Sequence, residues 1–397
     1  MKELNVGLFG AVVNSDNLGC LALTYSLVAI LESIAQENGF IFQYTFFEGI
    51  EEFGGLQKLS DELKIERNRI SKVAVTYIYK NKTIIRHPIK ANAVVKAIKK
   101  CDFCIDLTAG DSFTDIYGDE RFLSTSRVKR FLEKSGIPLI LGPQTYGPFL
   151  RDKNQRIAKE LMENAACVIA RDQLSTDYVH SFSACGVTTT TDLAFALPFV
   201  RMSRNPGDKI RIGINISSLL VSAKTENTVV NFKLRTDYDR FIERVLAYLD
   251  ASGRYEVYLI PHVGKDGADM FASQYPDAHI VEPFSTPIQA KSFIANMDIF
   301  VGARMHATIG AFSAGVATIP TAYSRKFKGV YEGLLYPYVI DLENMETEEA
   351  VQKTIAYIEE YKALQKQREE VSAPILQTKI SRTRATLSDC ICQILEK

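Results

Sequence analysis

The sequence lacks an excess of charge of either sign. Its 397 residues include 47 Lys and Arg against 47 Asp and Glu, so it has no basic surplus of the kind that supplies most non-specific affinity for nucleic acid. Tryptophan is absent, and 46% of the residues are hydrophobic against 24% charged. That balance is typical of a globular protein and excludes disorder or collagen as a description of the whole chain. The length predicts two or three domains.

Cysteines are few and show no paired pattern. There are seven, and Cys101 and Cys104 form a CxxC that no second CxxC or nearby His completes into a zinc set. Cys104 also lies in the apolar run Phe103-Cys104-Ile105, which favours buried thiols. Unpaired thiols are typical of a reducing compartment, so we expect a cytoplasmic protein without a metal.

Long hydrophobic runs are also missing. The most apolar stretch, 18–35, is interrupted by Thr24, Ser26 and Glu32, whereas a spanning helix needs about 20 apolar residues. It has neither the basic start nor the cleavage site of a secretion signal. We therefore predict a helix buried against a sheet.

Short β-branched runs alternate with helical patterns along the first half of the chain. The predicted strands are 5–9, 42–47, 72–79, 103–107, 138–141 and 168–170. The predicted helices are 18–37, 90–100, 121–135, 155–165 and 174–181. Such alternation predicts βαβ units and a mostly parallel sheet.

The alternation stops at a polar Pro-Gly segment and then restarts. We predict an N-terminal Rossmann-like domain over 1–200, a linker over 201–209 and a second Rossmann-like domain over 210–374. A final helix over 375–397 is expected to cross back. The predicted fold class is α/β, with two Rossmann-like domains in a GT-B-like arrangement.

Polar residues follow several predicted strands, where open parallel sheets bind ligands. In the first half these are Asn17 in a long turn, Asp111 and Ser112 in a small-residue turn, Gln144 and Tyr146 in a Gly-Pro loop, and Arg171. Asp111 has the chemistry to orient or deprotonate a hydroxyl. Helix capping and turn formation explain all of these residues except Arg171 as well, and a plain Arg–Asp ion pair explains Arg171.

The strongest candidate is Arg304 with His306, placed between a strand and a very apolar helix. Helix-start amides, a guanidinium and an imidazole together form an anion site with a titratable acid. Ser324 and Lys326 follow the next strand, and His262 follows another. A solvated basic turn and a core histidine are the simpler explanations of these last three.

These motifs together resemble the polysaccharide pyruvyl transferase family. The matching segments are Asn17-Leu18-Gly19, Gly110-Asp111-Ser112, Gly142-Pro143-Gln144-Thr145-Tyr146-Gly147-Pro148, Ala170-Arg171-Asp172, Asp192-Leu193-Ala194-Phe195, His262, Gly302-Ala303-Arg304-Met305-His306-Ala307 and Tyr323-Ser324-Arg325-Lys326-Phe327. The Arg-x-His segment is the most specific. The chain departs from the family's usual residues at Ala109 and Met305.

The resemblance implies transfer of a pyruvyl group from phosphoenolpyruvate, the co-substrate, to a sugar in cell-surface polysaccharide synthesis, with no cofactor and no metal. It implies catalytic roles for His306, Asp111 and Arg304. Donor binding would involve Arg304, Arg171, Ser324, Lys326 and His262. Acceptor binding would involve Asn17, Asp111, Ser112, Gln144 and Tyr146.

Two other functions fit the same architecture. One is a GT-B glycosyltransferase with a nucleotide-sugar donor, although the C-terminal half has no clear acidic pair to hold a ribose. The other is a sugar-phosphate binding protein without turnover. The expected partners are phosphoenolpyruvate and a sugar or glycan, with peripheral membrane contact if the acceptor is lipid-linked, and no nucleic acid.

Overall fold

The computed structural model describes residues 1–49, 54–202, 209–221 and 233–396. Residues 203–208 of the predicted linker lie outside the described residues, as do the side chains of Ala272, Arg325 and Lys326. Contacts divide the chain into two compact units. The first unit is Met1–Ser15, Leu23–Leu193 and Thr378–Lys397, and the second is Asp16–Ala22 and Ala194–Gln377.

The first unit contains a seven-stranded, fully parallel sheet in the order β3-β2-β1-β4-β5-β6-β7. Its strands are β1 (Lys2–Phe9), β2 (Phe40–Glu48), β3 (Ile70–Ala74), β4 (Phe103–Asp106), β5 (Leu139–Gln144), β6 (Cys167–Ala170) and β7 (Val187–Thr189). The helices in this part of the chain are Leu18–Asn38, Gly54–Leu63, Asn81–Arg86, Pro88–Ile98, Asp119–Lys134, Asp152–Glu163 and Gln173–His180. The strand order reverses between β1 and β4, which creates a ligand-binding crevice in folds of this kind.

The second unit repeats the arrangement with six parallel strands in the order β10-β9-β8-β11-β12-β13. Its strands are β8 (Ile210–Asn215), β9 (Tyr255–Leu259), β10 (His279–Ile280), β11 (Ile299–Gly302), β12 (Ala317–Ala322) and β13 (Ile340–Asp341). Its helices are Tyr238–Ser252, Ala268–Ala272, Pro287–Ile294, Met305–Ser313, Arg325–Glu332, Thr347–Glu359 and Tyr361–Gln367, and the chain ends with the helix Ala373–Leu395.

The central strands are buried on both faces. Every residue of β4, β11 and β12 is buried, because helices cover both sides of a parallel sheet. The helix Tyr238–Ser252 contributes Phe241, Val245 and Leu249 to the core of the second unit. Their spacing of four residues puts them on one helix face.

The predicted α/β fold with two Rossmann-like domains is confirmed. The last residues of the chain, Thr378–Lys397, belong to the first unit, so the C-terminal helix does cross back. The predicted strand 72–79 is wrong beyond Ala74, since Val75–Ile78 forms a 3-10 helix. Val75 and Ile78 are both buried, and a spacing of three residues puts them on one face of a 3-10 helix.

The helix Leu18–Asn38 is long and apolar enough to cross a membrane by length and composition alone. In the structure, 78% of its most apolar window is buried. The core helix of a globular protein passes the same test, so this helix by itself is only weak evidence for a membrane span.

Candidate active site

The ends of β8 and β11 lie side by side where the second sheet reverses its strand order. Asn215, the last residue of β8, accepts a hydrogen bond at Oδ1 from the backbone nitrogen of Arg304 at 2.9 Å. Its Nδ2 donates to the carbonyl oxygen of Ile260 at 2.9 Å. The buried Asn215 side chain therefore links the end of β8 to the residues that follow β9 and β11.

The Arg304 guanidinium forms an ion pair with Asp266. Oδ1 of Asp266 accepts from Nε at 3.0 Å and from Nη2 at 2.7 Å, and Nη2 also donates to Ser218 Oγ at 3.0 Å. The side chains of Asp266 and Arg304 are 1% and 11% exposed. Among the described residues, Nη1 of Arg304 has no hydrogen-bond partner. The guanidinium is thus held on one edge and available on the other.

Asp266 is the site residue that the sequence interpretation missed. Its Oδ2 accepts hydrogen bonds from the backbone nitrogens of His262 at 2.9 Å and Val263 at 3.1 Å, so it fixes the turn as well as the guanidinium. Its φ is +47°, in the left-handed region that Asp adopts more readily than most residues. The sequence feature that could have revealed Asp266 is the turn 263–267, which lies shortly after β9.

His306 lies in the first turn of the helix Met305–Ser313, whose start has no side-chain cap. The imidazole packs against Gly19, where a Cβ would lie 2.7 Å from Cγ of His306. Only glycine permits this approach. Asn17 Oδ1 accepts from the Gly19 nitrogen at 3.0 Å, and Asn17 pairs with Val263 through an isolated β-bridge. The predicted acceptor residue Asn17 therefore belongs to the second unit and shapes the surroundings of His306.

His262 is buried beside these groups. Burial, followed by the neighbouring His306, lowers the pKa of His262 to about 3, with a smaller contribution from Arg304, while Asp266 acts in the opposite direction. Asp266 accepts hydrogen bonds from both the His262 backbone nitrogen and the Arg304 guanidinium. The Leu18 nitrogen donates to the His262 carbonyl oxygen at 3.3 Å, next to the Gly19 that contacts His306. Neither ring nitrogen has a hydrogen-bond partner within the described residues. His262 is therefore a neutral group at neutral pH.

Ser324 precedes the helix Arg325–Glu332 and caps it, since its Oγ accepts from the Phe327 nitrogen at 3.3 Å. Lys326 was also predicted to bind the donor, but its side chain lies outside the described residues. Nearby, Lys328 pairs with Asp341 at 2.7 Å. Its ammonium is thus already neutralised by a carboxylate.

The first unit contains the predicted acceptor residues Asp111 and Ser112. Asp111 Oδ2 accepts from the Tyr117 hydroxyl at 3.3 Å, and Ser112 Oγ accepts from Arg121 Nη2 at 3.0 Å. Burial, followed by Asp111, raises the pKa of Tyr117 to about 12. Asp111 is half-buried.

A backbone of unusual conformation leads into these residues. Thr108, Ala109 and Gly110 have φ values of 41°, 52° and 85°. Left-handed conformations are costly for residues with a Cβ, and three in succession form a sharply constrained turn. The turn is closed by the Ser112 nitrogen, which donates to the Thr108 carbonyl oxygen at 3.0 Å.

Arg171, predicted to bind the donor, is buried in the first unit. Its Nη1 pairs with Asp192 at 2.7 Å, and its Nε donates to Thr145 Oγ1 at 2.8 Å. Asp172 lies 4.0 Å away and caps the next helix instead. Nη2 of Arg171 has no partner among the described residues. The structure thus contains an Arg–Asp pair, with Asp192 as the partner.

The prediction that Gln144 and Tyr146 line a cleft is wrong. Gln144 is the last residue of β5 and fully buried, and its Nε2 donates to the Asp106 carbonyl oxygen at 3.0 Å. Tyr146 is 2% exposed, and its hydroxyl bonds to the carbonyl of Ile169 at 3.1 Å. β5 extends to Gln144, further than expected, and Tyr146 follows it inside the core. Both side chains therefore bond to neighbouring strands rather than face a ligand.

The described residues contain no group of three or more His, Cys, Asp and Glu side chains arranged to hold a metal ion. Cys101 and Cys104 are free and buried, and burial followed by the neighbouring Cys101 raises the pKa of Cys104. The second unit instead offers a fixed guanidinium, a helix start and an imidazole. That set is suited to an anionic ligand whose reaction requires a proton.

Solved structures of GT-B enzymes and related epimerases share this architecture. UDP-GlcNAc 2-epimerase from Neisseria meningitidis, bound to UDP-GlcNAc, has a TM-score of 0.61 at 12% identity, with 99% of this chain and 100% of that chain covered. Sucrose-phosphate synthase from Thermosynechococcus elongatus has a TM-score of 0.55 at 12% identity, with 100% of both chains covered. The fold is therefore GT-B-like. At this identity the likeness shows the fold alone.

The family follows from a separate comparison. A family model described as polysaccharide pyruvyl transferase matches residues 17–325, well over half of the chain. The chain belongs to this family, and membership supports a transferase. It matches no curated protein.

Proposed function

We propose that this protein transfers the pyruvyl group of phosphoenolpyruvate to two hydroxyls of a sugar, forming a ketal and releasing phosphate. The observation that supports it best is the position of Arg304 and His306 at the helix start after β11, beside the switch point of the second sheet, with His262 held by the same Asp266 carboxylate as Arg304. One fixed guanidinium edge and one titratable imidazole match a donor that is an anion and must be protonated on carbon. Family membership supports the same reaction class.

The reaction begins with proton transfer from His306 to the methylene carbon of phosphoenolpyruvate. That carbon becomes a methyl group, and C2 becomes electron-deficient. A sugar hydroxyl attacks C2, forming a C–O bond and losing its proton. The C2–O bond to phosphate then breaks, and a second hydroxyl attacks C2 and loses its proton to close the ketal. Of the two protons released, one restores His306 and one leaves with phosphate.

Each residue has a role set by its contacts. Arg304 binds the phosphate or carboxylate of the donor through Nη1, because Nε and Nη2 are occupied by Asp266 and Ser218. The helix start at Met305 adds amide donors. His262 stays neutral and contributes an uncharged wall. Asp111 orients or deprotonates the acceptor hydroxyl.

The competing function is glycosyl transfer from a nucleotide sugar, which the same fold supports in other proteins. Thermal unfolding separates the two. Phosphoenolpyruvate and a panel of UDP-, GDP- and TDP-sugars are compared on wild type and on Arg304→Ala. A ligand at about 100 times its Kd adds roughly 2.7 kcal/mol, which is a measurable shift. We expect a shift with phosphoenolpyruvate in wild type and none in Arg304→Ala.

A shift with nucleotide sugars and none with phosphoenolpyruvate would contradict the proposal. A second experiment separates a transferase from a binding protein. Phosphate release from phosphoenolpyruvate is screened against glycan acceptors, with His306→Gln as the test variant. General acid catalysis contributes about 10²–10⁴-fold, so turnover should fall by that factor with unchanged donor binding. His279→Gln, at a half-exposed side chain, is the matched control.

A further inference from the structure

A separate cavity lies entirely within the first unit. Its volume is about 450 Å³, within the range of about 300 to 1,000 Å³ typical of small-molecule sites. Its walls come from the ends of β1, β2 and β4 and from the helix Asp119–Lys134. Ser112, beside Asp111, lies on its edge.

Two nearly buried ion pairs face this cavity from different strands. Glu48, at the end of β2, pairs with Lys72 at 2.7 Å. Asp106, at the end of β4, pairs with Lys129 at 3.1 Å. Side chains in both pairs are at most 10% exposed. Buried ion pairs stabilise a fold little, so their place on a cavity wall favours a functional role.

The charges on the cavity wall balance. The lining residues include three cations, Lys80, Arg121 and Lys129, and three anions, Glu48, Asp106 and Glu120. Glu120 also pairs with Lys80. An anionic ligand would therefore find little net attraction, in contrast to the site at Arg304.

Hydroxyl groups with no other partner face the same space. Among the described residues, neither the Tyr79 hydroxyl nor the Ser124 hydroxyl has a hydrogen bond within the protein, although both residues line the cavity. Burial, followed by the carboxylate of Asp106, raises the pKa of Tyr79 to about 12. The Tyr79 hydroxyl therefore keeps its proton and is available as a donor.

Apolar surface completes the cavity. Phe9 and Phe47 stack with ring centroids 4.4 Å apart. Val128 and Leu132 line the cavity from the helix Asp119–Lys134. A pyranose combines the same two features, since it has apolar C–H faces and hydroxyls around its edge. Paired carboxylates and free hydroxyls can bind several sugar hydroxyls at once.

We propose that this cavity binds a neutral pyranose ring of the acceptor glycan. The proposal rests on the proposed function in that it names the acceptor side of the same reaction. It places the acceptor next to Asp111 through Ser112, whose Oγ lies 3.5 Å from Asp111 Oδ1. It also moves acceptor recognition away from Gln144 and Tyr146, which are buried.

The test uses ligand-observed saturation-transfer NMR on the full-length protein with a panel of methyl pyranosides: glucoside, galactoside, mannoside and their N-acetyl forms. The variants are Tyr79→Phe, Ser124→Ala and the space-filling Ser124→Leu. Tyr77→Phe is the matched control, since Tyr77 does not line the cavity. Unfolding midpoints equal to that of wild type confirm that each variant is folded.

We expect at least one pyranoside to bind wild type and Tyr77→Phe equally. Losing one hydrogen bond should weaken binding about threefold to tenfold in Tyr79→Phe and in Ser124→Ala, and Ser124→Leu should abolish it. Absence of binding to wild type, or equal binding by all variants, would overturn the proposal. If the proposed function fails but this proposal holds, a pyranoside still binds wild type, and phosphoenolpyruvate does not raise the thermal unfolding midpoint.

Discussion

The Asp266 carboxylate holds the Arg304 guanidinium through Nε at 3.0 Å and Nη2 at 2.7 Å. The same carboxylate accepts two backbone hydrogen bonds from the turn after β9. One acidic residue therefore fixes both the cation and the turn containing His262. Asp266 would act on a ligand only by holding Arg304 in place, so we regard it as a positioning residue.

Asp266→Asn is expected to lower the unfolding free energy by about 3 kcal/mol, the usual cost of breaking a buried ion pair. Turnover should fall at least tenfold because Arg304 is no longer held. The KM for phosphoenolpyruvate should not rise, since a competing negative charge is removed. Denaturant unfolding and phosphate release measure these effects. Asp341→Asn, at the more exposed pair with Lys328, should change neither, and wild-type turnover in Asp266→Asn would contradict the positioning role.

Gly19→Ala is expected to displace the His306 imidazole, because the new methyl would overlap it. A misplacement of about 1 Å costs roughly 10²-fold in rate. Two-dimensional NMR of labelled histidines should show a moved His306 ring signal, and phosphate release should fall accordingly. Gly186→Ala serves as the control, because a Cβ there meets nothing within 4 Å. An unmoved His306 signal in Gly19→Ala would argue against the close approach.

The buried His262 is expected to make stability fall in acid. Its pKa is about 3 in the folded protein against about 6.5 in the unfolded chain. The unfolded state therefore binds an extra proton between these values, and stability is fully present above pH 6.5 and lost as pH falls towards 3. His262→Phe should remove up to about 1.4 kcal/mol of this loss per pH unit. Identical acid slopes by denaturant unfolding would rule out a buried neutral imidazole.

Lys291 should produce a pH dependence on the alkaline side. It lies in the second unit and donates to the carbonyl oxygens of Leu197 at 2.8 Å and Phe195 at 3.3 Å. Burial, followed by Arg368, lowers its pKa to about 7. Since the unfolded lysine titrates near 10.4, stability should rise with pH from about 7 to 10. Lys291→Met should flatten this rise, whereas Lys265→Met, at an exposed lysine, should leave it unchanged.

The sequence predicted the central strands of the first sheet well because central parallel strands are continuous apolar runs. β4 is buried on both faces, and its sequence stands out between polar turns. The edge strands β7 and β13 were not predicted, since they have three and two residues. Strands so short have too few side chains to show a period.

The candidate site was only partly predictable. Arg304, His306 and His262 were expected to face one crevice. In the structure, Asp266 bonds to both Arg304 and the His262 backbone, and Gly19 contacts His306. Asp266 was missed, and the contact of Gly19 with His306 was not predicted, because both depend on contacts across the fold that spacing does not encode. Gln144 was misplaced because the extent of β5 determines which side chains lie inside the sheet.

The neutrality of His262 has a consequence for the proton inventory of the site. Two imidazoles side by side would ordinarily share protons, and each would blur the titration of the other. With its pKa near 3, the His262 imidazole is uncharged across the physiological range. In the proposed reaction, the acid that protonates the donor must therefore be His306, which has to be protonated again after every turnover.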